Sequence, residues 1–143
     1  MLLEGVRVLD FTQYLSGPSA TRMLAELGAD VIKVEALSGE QGRAMFTLSG
    51  IDRSLPGGRN SYFEANQRNK RSIALDLKQP EGVNVVRNLV GDADIFLQNY
   101  RKGVAERLGL GYEDLKAINL SLIHISEPTS PRLISYAVFC LKK

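Results

Sequence analysis

The amino-acid sequence predicts an α/β fold organised on an open, mainly parallel sheet. Short β-branched runs recur at residues 5–11, 30–35, 72–77 and 94–97. Between the first and second runs, and again between the third and fourth, apolar residues shift to the spacing of a helix,. Strand, helix and strand within about 30 residues form a βαβ unit, whose strands are parallel and whose crossover is right-handed.

Each element has its own warrant. Residues 5–11 place Val6, Val8, Leu9 and Phe11 in a buried strand,. Ser16-Gly17-Pro18-Ser19 follows as a loop, and a helix over 20–27 carries Met23, Leu24 and Leu27,. Pro18 lies near that helix's first turn and Gly28 is a natural C-terminal stop,. Residues 30–35 are the second strand. Residues 36–60 hold Gly39, Gly42, Gly50, Pro56, Gly57 and Gly58 and read as a long irregular excursion, of the kind that is functional or mobile,. Residues 72–77 alternate apolar and polar as a third strand does. Pro80-Glu81-Gly82 opens a helix with Val83, Val86, Leu89 and Val90 on one face,. A fourth strand over 94–97 is followed by a short helix over 102–108, the stop Gly109-Leu110-Gly111, and a helix over 112–118. The architecture is Rossmann-like, and ligands of such sheets bind beyond the carboxyl ends of the strands.

Beyond Asn119 this pattern stops. Residues 120–129 resemble an in-frame translation of a transposon-derived sequencing adapter, and 134–142 resemble its far end, with four residues between them that fit an index tag. The expected organisation is therefore a partial domain over 1–119 and a non-native tail over 120–143, disordered or adhesive and outside any fold reasoning. Setting aside Arg132, Lys142, Lys143 and Glu127 leaves 15 basic and 15 acidic residues out of 18 and 16. That balance points away from nucleic acid and membrane surfaces. The only histidine, His124, and the only cysteine, Cys140, lie in the tail, so 1–119 offers no thiol nucleophile, imidazole base or His/Cys metal cluster,. With no secretory leader and no apolar run near the ~20 residues of a membrane span, a cytoplasmic protein is expected.

The loops at the strand ends hold the candidate chemistry. Gln13-Tyr14-Leu15-Ser16-Gly17-Pro18 precedes a helix start, which suits either an anion or an ordinary βα turn,. No G-x-G-x-x-G is present. Glu35 ends the second strand, where a ribose-binding acid or a solvated charge would sit. Asn66-Gln67-Arg68-Asn69-Lys70-Arg71 groups three cations that could grip phosphate, hold a turn, or simply be solvated,. Lys78 closes the third strand and Asn99-Tyr100-Arg101 the fourth, with Arg107 beyond; an amide, an aromatic face and cations suit an adenine nucleotide,.

Ordered blocks then carry a resemblance: Val8-Leu9-Asp10-Phe11-Thr12, Ser16-Gly17-Pro18, the run from Leu27 to Glu35, the run from Asn69 to Lys78, Asp94-Ile95-Phe96-Leu97-Gln98-Asn99-Tyr100, and Leu108-Gly109-Leu110-Gly111-Tyr112. Together they resemble the N-terminal part of the family III CoA-transferases, which include formyl-CoA transferase and the α-methylacyl-CoA racemases. The resemblance implies a CoA-binding domain, roughly the first third of a family member, whose parent forms an interlaced homodimer. It implies coenzyme A as substrate, no metal, and acyl-CoA and carboxylate partners. Carried over by position, Leu15 lies near the acyl end, while Leu75, Lys78, Asn99, Tyr100, Val104 and Arg107 contact the nucleotide end. A family arginine after the acid of the second strand is Ala36 here. The family's aspartate nucleophile attacks the thioester and passes through acyl-anhydride and aspartyl-CoA intermediates. None of Asp10, Asp30, Asp52, Asp76, Asp92, Asp94 or Asp114 occupies its motif, and Asp10 and Asp76 are expected to hold the fold.

The leading expectation is thus a CoA-transferase fragment, inactive as written. An acyl-CoA racemase fragment is the alternative within the family, and a non-catalytic nucleotide-binding module using Glu35 is the alternative from another class. A small interaction protein without a ligand would be a stable monomer, whereas a fragment should expose apolar edges and aggregate.

Overall fold

Alternation along the first strand sets the layers of the molecule. The computed structural model describes residues 1–126. In β1 (Arg7–Phe11), Leu9 and Phe11 enter one core with Ile32, Val34, Val86, Val90, Phe96, Leu110 and Leu115. Val8 enters a second core with Ala25, Ala29 and Val31. Helix α1 (Ser16–Glu26) covers this second face, and β2 (Asp30–Glu35) follows it. Period-two side chains thus supply both faces of one sheet, as parallel strands buried on both sides require.

Beyond β2 come a 3₁₀ turn (Gln41–Ala44) and two small antiparallel pairs, β3 (Thr47–Leu48) with β4 (Ile51–Asp52) and β5 (Ser54–Leu55) with β6 (Arg59–Asn60). Then follow α2 (Ser61–Gln67), β7 (Arg71–Ala74), α3 (Pro80–Gly91), β8 (Ile95–Gln98), α4 (Val104–Arg107), α5 (Tyr112–Lys116) and β9 (Ile123–Ser126). Five of the strands form one parallel sheet in the order β7-β2-β1-β8-β9. The chain works outward from β1 through β2 to β7, then returns to the other side of β1 with β8. The crevice between β1 and β8 is therefore the switch point, where such sheets bind ligands.

Several elements differ from the sequence expectation. Ser16-Gly17-Pro18-Ser19 is the first turn of α1, not a loop: the Ser19 N–H donates to the Leu15 carbonyl at 2.8 Å. Proline third in a helix loses only an N–H that has no intrahelical acceptor. The 36–60 excursion contains the 3₁₀ turn and the small strand pairs, and it runs into α2. There the Asn60 side chain caps the helix by accepting from the Phe63 N–H at 2.8 Å,. The third strand ends at Ala74, three residues early, because the Asp76 carboxylate accepts the Lys78 N–H at 3.0 Å and folds the chain into a turn,. Gly82 makes the close approach of α3 to that turn possible, since a Cβ there would lie 2.2 Å from the Asp76 carbonyl oxygen.

Ile123–Ser126, within the expected tail, form a strand. This segment pairs in parallel with β8, setting Ile123 opposite Ile95 and Ile125 opposite Leu97. The physical reason is an open edge: β8 presents unpaired backbone groups, and an alternating Ile-His-Ile-Ser segment satisfies them. Asn119 anchors the approach, its amide donating to the carbonyls of Val90 and Ala93 at 3.0 and 2.8 Å. Residues 127–143, the rest of the expected tail, lie outside the described residues.

Candidate functional site

The loops after β1 and β8 meet at the switch point and are clasped together. Gln13 N–H donates to the Asn99 side-chain oxygen at 2.8 Å, and the Asn99 amide donates back to the Gln13 carbonyl at 2.8 Å. An asparagine side chain here plays the part of a strand partner where the ladder has ended. Tyr14, beside the clasp, takes a left-handed backbone with φ of 69°, which carries the chain over into α1. Leu15, the residue preceding α1, is 55% exposed at the rim.

Tyr100 continues the β8 strand end. Its N–H donates to the Gln98 side chain at 2.7 Å, and its ring meets Phe11 edge-on at 6.5 Å. Burial, with a smaller contribution from Asp10, pushes its hydroxyl up to about 12, so it stays protonated through the physiological range. Leu75 is half-buried against the core and donates its N–H to the Glu35 carbonyl at 2.8 Å. Val104 is the half-buried first residue of α4.

Lys78 and Arg107 come together in one groove of about 360 Å³, walled by Leu77, Gln79, Pro80 and Val83 and joined by Arg87 from α3. This volume lies in the range of small-molecule sites, roughly 300–1,000 Å³. Among the described residues that line it there is no carboxylate. Leu15, Leu75, Asn99, Tyr100 and Val104 do not line this groove; Asn99 and Tyr100 lie at the switch point, Leu75 beyond the end of β7 and Val104 at the start of α4.

Next to the switch point lies a buried ionic network. Asp10 is fully buried and accepts from the Thr12 N–H (2.9 Å), Thr12 Oγ1 (2.5 Å), Thr21 Oγ1 (2.7 Å) and Lys70 Nζ (2.9 Å). Burial alone would raise its carboxyl, but Lys33, Lys70 and the two threonine hydroxyls hold it below the ordinary value,. Lys70 also donates to the Pro18 carbonyl at 2.9 Å and so ties β1, α1 and the end of α2 to one ammonium group. Lys33 donates to the Thr12 carbonyl at 2.6 Å and pairs with buried Glu40 at 2.7 Å. Burial keeps the Glu40 carboxyl above its ordinary value despite Lys33, with Glu35 and Asp10 adding to the rise.

Glu35 is not free to take a ribose. Both of its oxygens receive the Arg43 fork at 2.7 Å, and Oε2 also accepts the Glu40 N–H at 3.1 Å. Burial opposes ionisation, but Arg43 and the Glu40 N–H outweigh it and hold the carboxyl low. A second hollow, about 310 Å³, opens beside Glu35 and is lined by Ala36, Gly39, Arg43, Ser72 and Ile73. Each cation of the run has an acidic partner: Arg68 pairs with Glu26, Lys70 with Asp10 and Arg71 with Asp30, at 3.2, 2.9 and 2.6 Å. Only Lys70 is buried; Arg68 and Arg71 make their pairs at the surface.

Residues 3–128 match the family model described as CoA-transferase family III. The chain belongs to this family. It is 42% identical over 124 residues to the succinyl-CoA:glutarate CoA-transferase of Mus musculus, covering 87% of this chain and 27% of that protein. It is 41% identical over 121 residues to the formyl-CoA:oxalate CoA-transferase of Afipia carboxidovorans, covering 85% and 27%. The crystal structure of Rv3272 from Mycobacterium tuberculosis matches with a TM-score of 0.77 at 41% identity, over 87% of this chain and 33% of that one. A CAIB/BAIF family protein from Brucella suis matches with a TM-score of 0.75 at 38% identity, over 86% and 32%. The chain spans 27% to 31% of the length of the first curated relatives it matches.

Within this family III domain, the sequence singled out Lys78 and Arg107 and the structure joins them. It did not single out Arg87, Arg43 or the Asp10–Lys70 pair. Arg87 lies on the helix built by Val83, Val86 and Val90, and its approach to Arg107 depends on tertiary packing. The Asp10–Lys70 contact spans 60 residues and has no local signature. Among the described residues, no group of three or more His, Cys, Asp or Glu side chains gathers as a metal site requires, and no helix is long and apolar enough to cross a membrane.

Proposed function

We propose that this chain is the CoA-holding N-terminal part of an enzyme that moves coenzyme A between an acyl-CoA and a carboxylic acid. The observation that carries the reading is the convergence of Lys78 and Arg107, 29 positions apart in sequence, in one groove lined without a carboxylate. Coenzyme A carries a 3′-phosphate and a diphosphate, and charge-assisted bonds to such groups are the strong ones. Leu15, at the rim of the switch point, stands where the resemblance puts the acyl end. The mouse and Afipia relatives are CoA-transferases, which favours transfer over racemisation.

The aspartyl step is proposed to belong to residues outside this chain. Asp10 is buried behind Lys70 and two threonines. Asp30 is held by Arg7 and Arg71, Asp52 accepts the Ser54 N–H, and Asp114 accepts the Gly111 N–H. Asp92 and Asp94 precede β8, at the amino edge of the sheet, and Asp76 shapes the turn before α3. None of these carboxylates stands free beside the switch point to attack a thioester. The parent would be the interlaced homodimer that the resemblance implies.

Calorimetric titration of the 143-residue chain with coenzyme A tests the reading. Saturable binding is expected, weakened by Lys78→Ala and by Arg107→Ala, with no CoA transfer from succinyl-CoA to a dicarboxylate. Absence of CoA binding, or binding indifferent to both substitutions, would refute it.

A further inference from the structure

We infer that Arg87 is a third phosphate ligand of the groove and makes this chain selective for the 3′-phosphorylated form of coenzyme A. The inference rests on the CoA reading above and adds a specificity-determining residue to it.

Arg87 enters the groove from α3, facing Arg107 of α4, with Lys78 at the turn between β7 and α3. Lys78 and Arg107 alone could balance the two single charges of a diphosphate. A third permanent cation with no lining carboxylate matches a more highly charged group, and a terminal phosphate monoester approaches two negative charges at neutral pH. Arg87 is also well suited in its own geometry. Among the described residues its hydrogen bond is a long one, from Nη2 to the Gly109 carbonyl at 3.3 Å, which leaves the rest of its donor fork for a ligand,.

The two groove arginines share a device. Each leans over a glycine in a left-handed backbone: Arg87 Nη2 lies 2.9 Å from where a Cβ of Gly109 would be, and Arg107 Nη1 lies 3.2 Å from that of Gly103. The φ angles of these glycines are 66° and 82°, conformations that L side chains rarely adopt,. The chain on either side of α4 is thus bare where both guanidinium groups rest.

The experiment compares coenzyme A with 3′-dephospho-coenzyme A, which differ only in the monoester, by calorimetric titration of the wild-type chain and of Arg87→Ala, Arg87→Lys and Arg59→Ala. Arg59, an exposed cation on the β5–β6 pair outside the groove, controls for loss of charge alone. The wild type is expected to prefer coenzyme A. Arg87→Ala should weaken coenzyme A by about tenfold, the scale of one charge-assisted bond at a partly exposed site, and leave the dephospho form unchanged. Arg87→Lys should recover part of the loss and Arg59→Ala should change neither ligand. Equal weakening of both ligands by Arg87→Ala, or no change in either, would overturn the inference while leaving the CoA reading intact. If the wild type bound neither ligand, the CoA reading itself would fall, and the Arg87 assignment with it.

Discussion

Replacing Lys70 by methionine tests whether the buried ions beside the switch point act as one unit. The Lys70 side chain is 1% exposed and its ammonium serves Asp10, the Pro18 carbonyl and Gln67 at 2.9, 2.9 and 2.8 Å. Methionine fills most of the same space but leaves the Asp10 carboxylate buried without its nearest counter-charge. Breaking a buried pair by removing one partner costs about 3–5 kcal/mol. Three donors to Asp10 remain, from Thr12 and Thr21, so the lower end applies: about 3 kcal/mol, a large part of the ~5–15 kcal/mol that holds a typical domain together,. The assay is urea unfolding followed by circular dichroism, in which such a loss moves the midpoint by about 1–3 M. Its pH dependence has a definite sign. In the wild type Asp10 is held below 3.8, so its contribution is present above that value and is lost as pH falls through the lower folded value,. In the variant, burial is opposed less and the carboxyl rises, so the penalty is felt where the carboxyl is ionised and fades as falling pH protonates it,. Adding Asp10→Asn should restore part of the loss, because a neutral amide no longer needs the cation. A deficit below about 1 kcal/mol, the scale of a surface pair, would refute the coupled-network argument.

Other consequences are open to direct measurement. Gly82→Ala drives a methyl group into the Asp76 carbonyl oxygen, 2.2 Å away, and should cost about 3 kcal/mol in a thermal or urea melt; a neutral result would mean that α3 is free to shift,. Asn99→Ala removes both bonds of the clasp to Gln13 and should lower stability by about 1–2 kcal/mol while raising amide exchange at Gln13; unchanged exchange there would rule out the clasp,. In an ultraviolet titration Tyr100 should ionise in a late phase near pH 12, and Tyr100→Phe should delete that phase. If the late phase survives in the variant, the buried tyrosine has been misassigned.

The elements legible in the sequence are those whose pattern repeats what burial demands. β1, β2 and β8 are short β-branched or aromatic runs, and α3 carries Val83, Val86 and Val90 at helical spacing behind a proline, so each announces itself locally. The start of α1 was obscured because Ser-Gly-Pro-Ser composition is shared by loops and by helix first turns. α2 was hidden behind a glycine-rich stretch, although Asn60 followed by Glu64 is a helix-start signal that could have exposed it,. β9 lies in the adapter-like segment, and its Ile-His-Ile-Ser alternation acquires meaning only beside the open edge of β8.

For the site, sequence order alone placed Lys78, Asn99, Tyr100 and Arg107 at the carboxyl ends of strands, because a parallel sheet puts every β-to-α loop on one edge. It also set the composition of that edge as rich in cations and amides. Which cation faces a ligand and which is turned inward was decided by the tertiary structure. Lys70 and Lys33 lie among residues that look equally solvated, yet α1, α2 and the 3₁₀ turn close over them and pair them with Asp10 and Glu40. Arg87 looks like an ordinary helix-surface charge until α4 brings Arg107 to the same groove. The physical reason is that strand and helix periodicity are local properties of a chain, whereas the value of a charge depends on what other segments bring within a few ångströms and on whether water remains between them.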